Sequence, residues 1–269
     1  MGVEVSKEIA RLFPKYKEVR LPRAPLEVVL AQVRYESILA IQSQPNIIPF
    51  QDSIRKDYPI LRPQQSQATS INAQDGSVVV IQQNIWRFLS ADEKWVITLA
   101  PDFVSVETTA YPTRDLFLDK FKFAMAQVES FFGPAIVTRT GARYIDRLKS
   151  EDLAQVKDLV KPSFLGMVGM ADLTNQLELS ISESALSIDQ YQIFSRWGLL
   201  PPNITTDPLL VKPSPEKSWL LDIDVSNSIR KPWNFEELAN EFGILTEISY
   251  RFFRWATTDY FITHFGGKL

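Results

Sequence analysis

Phe131-Phe132-Gly133-Pro134-Ala135-Ile136-Val137-Thr138-Arg139-Thr140-Gly141-Ala142-Arg143-Tyr144 sits in the middle of a 269-residue chain, and the fold turns on how it is read. Gly133-Pro134 ends a helix, because glycine suits a left-handed cap and proline cannot carry a helix further. Upstream, Phe117, Phe121, Ala124, Val128 and Phe131 recur at spacings of 4, 3, 4 and 3, one apolar helix face that opens after Pro112-Thr113. Downstream, Ala135–Leu148 reads as a strand.

Toward the N-terminus, Val78–Leu89, Trp95–Ala100 and Phe103–Thr109 read as three strands. Short turns at Ser90-Ala91-Asp92-Glu93 and Pro101-Asp102 make them an antiparallel meander. Leu26–Tyr35, entered through Pro22 and Pro25, is an earlier strand, and Gln44–Tyr58 a weak helix. Residues 62–77 are rich in Gln, Ser and Asn and read as a loop. Residues 1–22 are charged and peripheral, with a short helix at Ser6–Phe13.

Toward the C-terminus a similar order returns. Glu151–Val160 reads as a helix ending at Pro162. Gln176–Ser182 alternates Leu177, Leu179 and Ile181 against Glu178 and Ser180, as a strand does. Ser187–Trp197 and Trp219–Val225 are further strands, separated by residues 201–217, a long loop with five prolines. Asn234 caps a final helix with Glu237 three residues on, and Leu238, Phe242, Leu245, Ile248, Phe252 and Trp255 form its apolar face.

Each half therefore reads strand–helix–strand–strand–strand–helix. Ala31-Gln32-Val33-Arg34-Tyr35 echoes Gly141-Ala142-Arg143-Tyr144. The expectation is an α+β fold of internally duplicated β-α-β-β-β-α units, mostly antiparallel sheet with helices on one face. Residues 1–22 form the N-terminal segment, 23–133 the first repeat and 134–269 the second.

Composition removes several chemistries. Without cysteine there is no disulfide, thiol nucleophile, iron–sulfur cluster or Cys-ligated zinc. One histidine, His264, cannot build a two-histidine metal site, and it reads as a lone solvated side chain. No G-x-G-x-x-G, G-x-x-x-x-G-K-[ST] or G-x-S-x-G occurs among ten glycines. A net charge of −3 and a pI near 5.4 argue against nucleic acid as a partner. Apolar runs such as Val78–Ile81 are far too short to span a bilayer. The start lacks the apolar core of a secretory signal, so a cytoplasmic location is expected. Met1-Gly2 with Ser6 fits a loose myristoylation pattern and reads as a short exposed start.

Several blocks together resemble a sporadically distributed, uncharacterised prokaryotic protein family. They are Pro25-Leu26-Glu27-Val28-Val29, and Trp86-Arg87-Phe88 followed by Trp95-Val96-Ile97-Thr98-Leu99. Tyr111–Phe121 leads into Phe132-Gly133-Pro134 with Arg139, Gly141, Arg143 and Tyr144. Leu220-Leu221-Asp222-Ile223-Asp224 and a C-terminal helix ending in Phe261-Ile262-Thr263 complete the likeness, which covers nearly all the chain beyond residue 20. The resemblance implies patchy occurrence in bacteria, in mobile or antiviral-defence gene neighbourhoods, and implies no reaction. One departure is plain: a Leu-His pair is expected in the last helix, where this chain has Gly243-Ile244 and Leu245-Thr246.

Two constellations carry chemistry. Asp222 and Asp224 share a strand face and could hold Mg²⁺ for phosphoryl or nucleotidyl transfer, although Lys212–Lys217 upstream lacks the Gly-Ser loop of a nucleotidyltransferase. The simpler reading points Leu221, Ile223 and Val225 at the core and turns the aspartates to solvent or to arginine. Arg139, Arg143 and Arg147 step by four along one face, with Tyr144 on the other. Such a row could grip an anionic ligand bidentately, or pair across strands with Asp102, Glu107, Asp222 or Asp224. Arg34 and Glu36 share a face at the matching first-half positions.

No nucleophile and base can be assembled around the single histidine, so no catalytic residue is assigned and no cofactor is expected. Seventeen Phe, eight Tyr and six Trp supply ample aromatic surface for an interface. The leading expectation is a non-enzymatic binding protein with a protein partner, in a defence or toxin-related system, for which a dimer is compatible. The alternatives are a metal-dependent phosphoryl-transfer or nuclease-like enzyme using Asp222 and Asp224, and a sensor holding an anionic small molecule between the repeats against Arg139 and Arg143.

Overall fold

The structure is a computed structural model and describes residues 5–71, 78–173 and 176–269. Helix and strand are nearly balanced, at 35% and 34%, as the α+β class requires. In chain order the elements are α1 (Lys7–Leu12), β1 (Leu26–Tyr35), α2 (Gln44–Ile54), β2 (Ile60–Ile71), β3 (Val78–Leu89), β4 (Trp95–Ala100), β5 (Phe103–Thr108) and α3 (Arg114–Phe132). Then come β6 (Ile136–Lys149), α4 (Ser150–Ala154), α5 (Val156–Leu159), α6 (Pro162–Leu165), β7 (Ser180–Ile188), β8 (Tyr191–Leu200), β9 (Ser218–Asn227), β10 (Lys231–Pro232), α7 (Phe235–Ala256) and α8 (Asp259–His264).

The strands join one mostly antiparallel sheet in the order β2-β3-β4-β5-β1-β6-β9-β8-β7, with β10 paired to β6. Outward from β1 the first half runs β5, β4, β3 and β2; outward from β6 the second runs β9, β8 and β7. Among the described residues, β2 has no counterpart in the second half.

Two compact units divide the chain. One holds Leu30–Thr140 with Ile229–Ala239. Its meander is in close register, with Trp86 opposite Leu99, Phe88 opposite Ile97, and Ile97 opposite Val106. Phe88, Ile97, Leu99, Val104 and Val106 are fully buried, as are Phe117, Phe121, Ala124, Met125 and Val128 of α3. Phe50 of α2 packs 5.3 Å from Phe88 and 6.0 Å from Phe131, ring to ring. The Thr113 hydroxyl accepts from the Leu116 N–H to open α3, and Gly133 ends it at φ +51°, its N–H donating to the Glu129 carbonyl.

The other unit holds the chain up to Val29, Gly141–Ser228 and Asn240–Leu269. Leu245, Ile248 and Phe252 of α7 lie in its core. Of the peripheral segment expected over residues 1–22, the described part is tied down: Ile9 and Phe13 are buried, and the Phe13 ring packs tilted against Phe252, centroids 5.4 Å apart. The Tyr250 hydroxyl donates to the Lys17 carbonyl and accepts from the Val19 N–H.

Several expectations need correction. The stretch read as a loop over 62–77 carries most of β2, paired with β3 along its whole length; residues 72–77 lie outside the described residues. Pro162 opens α6 instead of ending a longer helix, and 150–165 holds three short helices. The strands expected at 176–182 and 187–197 are β7 and β8, shifted along the chain and joined at Asp189, which turns at φ +53°.

Gly198 shows how tightly β8 meets β7. It pairs with Ile181 on one side and Leu220 on the other, at φ +137°, and a Cβ there would lie 1.9 Å from the Ser180 carbonyl oxygen. Gly198→Ala is therefore expected to lower stability by about 2–4 kcal/mol in urea denaturation, through forbidden φ and strand displacement together.

Candidate functional site

The row of arginines runs along β6, beside β9. Arg143 forks onto Asp222, with Nε donating to Oδ1 at 2.8 Å and Nη2 to Oδ2 at 2.7 Å. Its Nη1 donates to Oδ2 of Asp207 at 2.8 Å. Asp222 is only 1% exposed and each of its oxygens accepts from Arg143, so the carboxylate half of the pair is out of water and held by a two-pronged fork. Burial works against the guanidinium charge, but Asp222 and then Asp207 outweigh it and hold Arg143 above its ordinary range.

Asp207 comes from the five-proline loop, 201–217. The loop is ordered by its own bonds: the Thr205 hydroxyl donates to the Val211 carbonyl, and the Val211 N–H to the Asp207 carbonyl. Val211 then packs with Ile145, Leu200 and Leu220 in a buried cluster over the sheet. The loop thus closes over β6 and β9 through one charged and one apolar anchor.

The other expected residues part company. Arg139 lies in the portion of β6 that belongs to the unit of Leu30–Thr140, whereas Arg143, Tyr144 and Arg147 belong to the other. Arg139, Tyr144 and Asp224 are half-buried and each is engaged in a contact of its own. Both oxygens of Asp222 are occupied by Arg143, so a cation at Asp222 and Asp224 would have to displace the guanidinium. Among the described residues no group of three or more His, Cys, Asp or Glu is arranged to hold a metal ion.

Arg147 differs from its neighbour. It is buried, and Nε, Nη1 and Nη2 have no hydrogen-bond partner among the described residues. Burial lowers its proton affinity and Glu27 offsets part of that. Next to it in the chain, Asp146 is also buried, and burial alone pushes its carboxyl up to about 7.

The remaining candidates are structural. His264 is not a solvated side chain: its Nε2 lies 2.6 Å from Asp152 Oδ1, and its ring packs against Phe265. Trp86 donates to the Ile41 carbonyl, Trp95 stacks on Phe117, Trp197 packs on Phe164, Trp233 donates to Glu129, and Trp255 lies against Phe13. Trp219 is wholly buried. Arg34 faces Asp102 at 3.6 Å, and Glu36 pairs with Arg230.

Asp207, Asp146 and Ser218 were not singled out by the sequence. Asp207 looks like ordinary loop polarity among prolines. Ile145-Asp146-Arg147-Leu148 held the available signal, two adjacent charges inside an otherwise apolar strand.

Comparison with protein-family models, with curated proteins and with solved structures finds no match to this chain. Fold and site together define an α+β protein built around an arginine fork buried on paired carboxylates. Among the described residues no helix is long and apolar enough to cross a membrane.

Proposed function

We propose that the chain is a cytosolic, non-enzymatic binding protein that acts through a protein partner docked on the loop 201–217. The observation that carries this reading is Leu209, 88% exposed on a loop that Asp207 and Val211 anchor from either side. Ile204 is exposed on the same loop. An apolar side chain held out on a pre-ordered loop loses little conformational freedom on binding, and burying a leucine contributes about 1.5–3 kcal/mol. The family resemblance supports a partner within a defence or toxin-related system. Asp222 and Asp207 are engaged by Arg143, and His264 lies in hydrogen-bond contact with Asp152, which supports a binding role over a catalytic one for these side chains.

The test compares the tagged protein with Ile204→Asp/Leu209→Asp in native cells, at equal abundance and equal melting temperature. A stoichiometric partner is expected to co-purify with the wild type and to fall at least tenfold with the variant. Recovery of no stoichiometric partner, or equal recovery with both, would overturn the reading.

A further inference from the structure

Among the described residues, two buried donors on β6 and β9 have no acceptor. We propose that Arg147 and Ser218 form a buried site for a small oxyanion, a carboxylate or inorganic phosphate, in the unit that contains both residues. The inference goes beyond the docking of a protein and does not depend on it.

Their placement follows from two contacts between neighbouring strands. Arg143 forks onto Asp222, and beyond the strand ends the Ser150 hydroxyl donates to Glu216 at 2.6 Å. The strands therefore run in opposite directions. Arg147 lies four residues on from Arg143 and Ser218 four residues back from Asp222, which puts them side by side on the face that carries the fork. Leu200 sits directly opposite Ser218 and joins Ile145, Leu220 and Val211 in the apolar cluster of that face.

Arg147 is 3% exposed and Ser218 is 0% exposed. Among the described residues, none of the three guanidinium nitrogens of Arg147 has a hydrogen-bond partner, and neither has Ser218 Oγ. A guanidinium carries five N–H donors and no acceptor, and a serine hydroxyl adds one more donor. What is missing is therefore acceptor capacity, and negative charge with it. A buried charge without a counter-charge is strongly unfavourable. Glu27, the acid that acts on Arg147, is itself bound to Lys149.

Arg143 is the internal comparison. On the same strand face, the same side chain receives two carboxylates, one of them through a two-pronged fork. A bidentate oxyanion at Arg147 would supply there what Asp222 supplies to Arg143. Because the guanidinium is closed off from solvent, entry of the anion requires local opening of the structure around it.

The test is thermal unfolding of the full chain, titrated with sodium phosphate or sodium acetate at fixed ionic strength. The wild type is expected to show a saturable rise of several degrees with at least one anion, and the anion with the lower half-saturation identifies the source. Arg147→Met is expected to melt at or above the wild type without either anion and to show no rise with them. Ser218→Ala is expected to fold and to need at least fivefold more anion. Absence of a saturable rise in the wild type would overturn the site. So would the same rise in Arg147→Met or, should that variant not fold, an unchanged half-saturation in Ser218→Ala.

Discussion

Asp146→Asn is expected to stabilise the protein by about 2–4 kcal/mol near pH 8 and to leave it almost unchanged near pH 4. The sign follows from burial. In the unfolded chain the carboxyl ionises around its ordinary 3.8, whereas in the folded chain it holds its proton up to about 7. Between those values the native state binds more protons than the unfolded state, so this group destabilises the fold progressively as pH rises from about 4 to about 7. Above that range the penalty is complete and constant. Asparagine has no proton to lose, so the variant lacks this component of the slope. Urea denaturation of both proteins across pH 4–8 reads the difference, with all other titrations common to the pair. Parallel stability curves for the two proteins would show that Asp146 is not held protonated.

Asp222→Ala should lose about 3–5 kcal/mol, because it leaves Arg143 half-stripped of its counter-charge inside the protein. Arg143→Met/Asp222→Leu should recover most of that loss, since apolar chains of similar size fill the same space without a charge to solvate. The informative quantity is the coupling in the double-mutant cycle, measured by urea denaturation. A cost below about 1 kcal/mol for Asp222→Ala would place the pair among weak surface bridges, against its burial. Hydrogen exchange at the Val211 amide, which donates to the Asp207 carbonyl, should quicken in the single variant, since Arg143 without its fork is no longer fixed in place to hold Asp207.

How much of this was legible in sequence depended on how local each signal was. The end of α3 could be read because Gly133 and Pro134 act within one turn, and Asn234 could be read as a cap for the same reason: the Glu237 N–H donates to its Oδ1. The meander was legible because its turns are short. β2 was not, because Gln64, Gln65 and Ser66 have weak strand preference and their assignment comes from pairing with β3. The β7–β8 turn carries no glycine or proline, and the alternation of Leu177 and Leu179 drew the strand too early; Leu179 is exposed.

The site shows the same division. Spacing by four put the arginines on one strand face, and pairing of Arg143 with Asp222 was among the alternatives. The second carboxylate on Arg143 comes from Asp207, 64 residues away along the chain on a loop. No local pattern connects the two. The contrast between a satisfied Arg143 and an unsatisfied Arg147 exists only once β9 lies beside β6.

The clamp between the first helix and α7 bears on how the protein is made. Phe13 is translated well before Tyr250 and Phe252, which fasten its segment; 231 residues separate Val19 from the Tyr250 hydroxyl that holds it. At about 5–20 residues per second that interval is roughly 10–50 s. Throughout it Phe13 lacks the rings of Phe252 and Trp255, and a chain released before residue 250 would leave it without them.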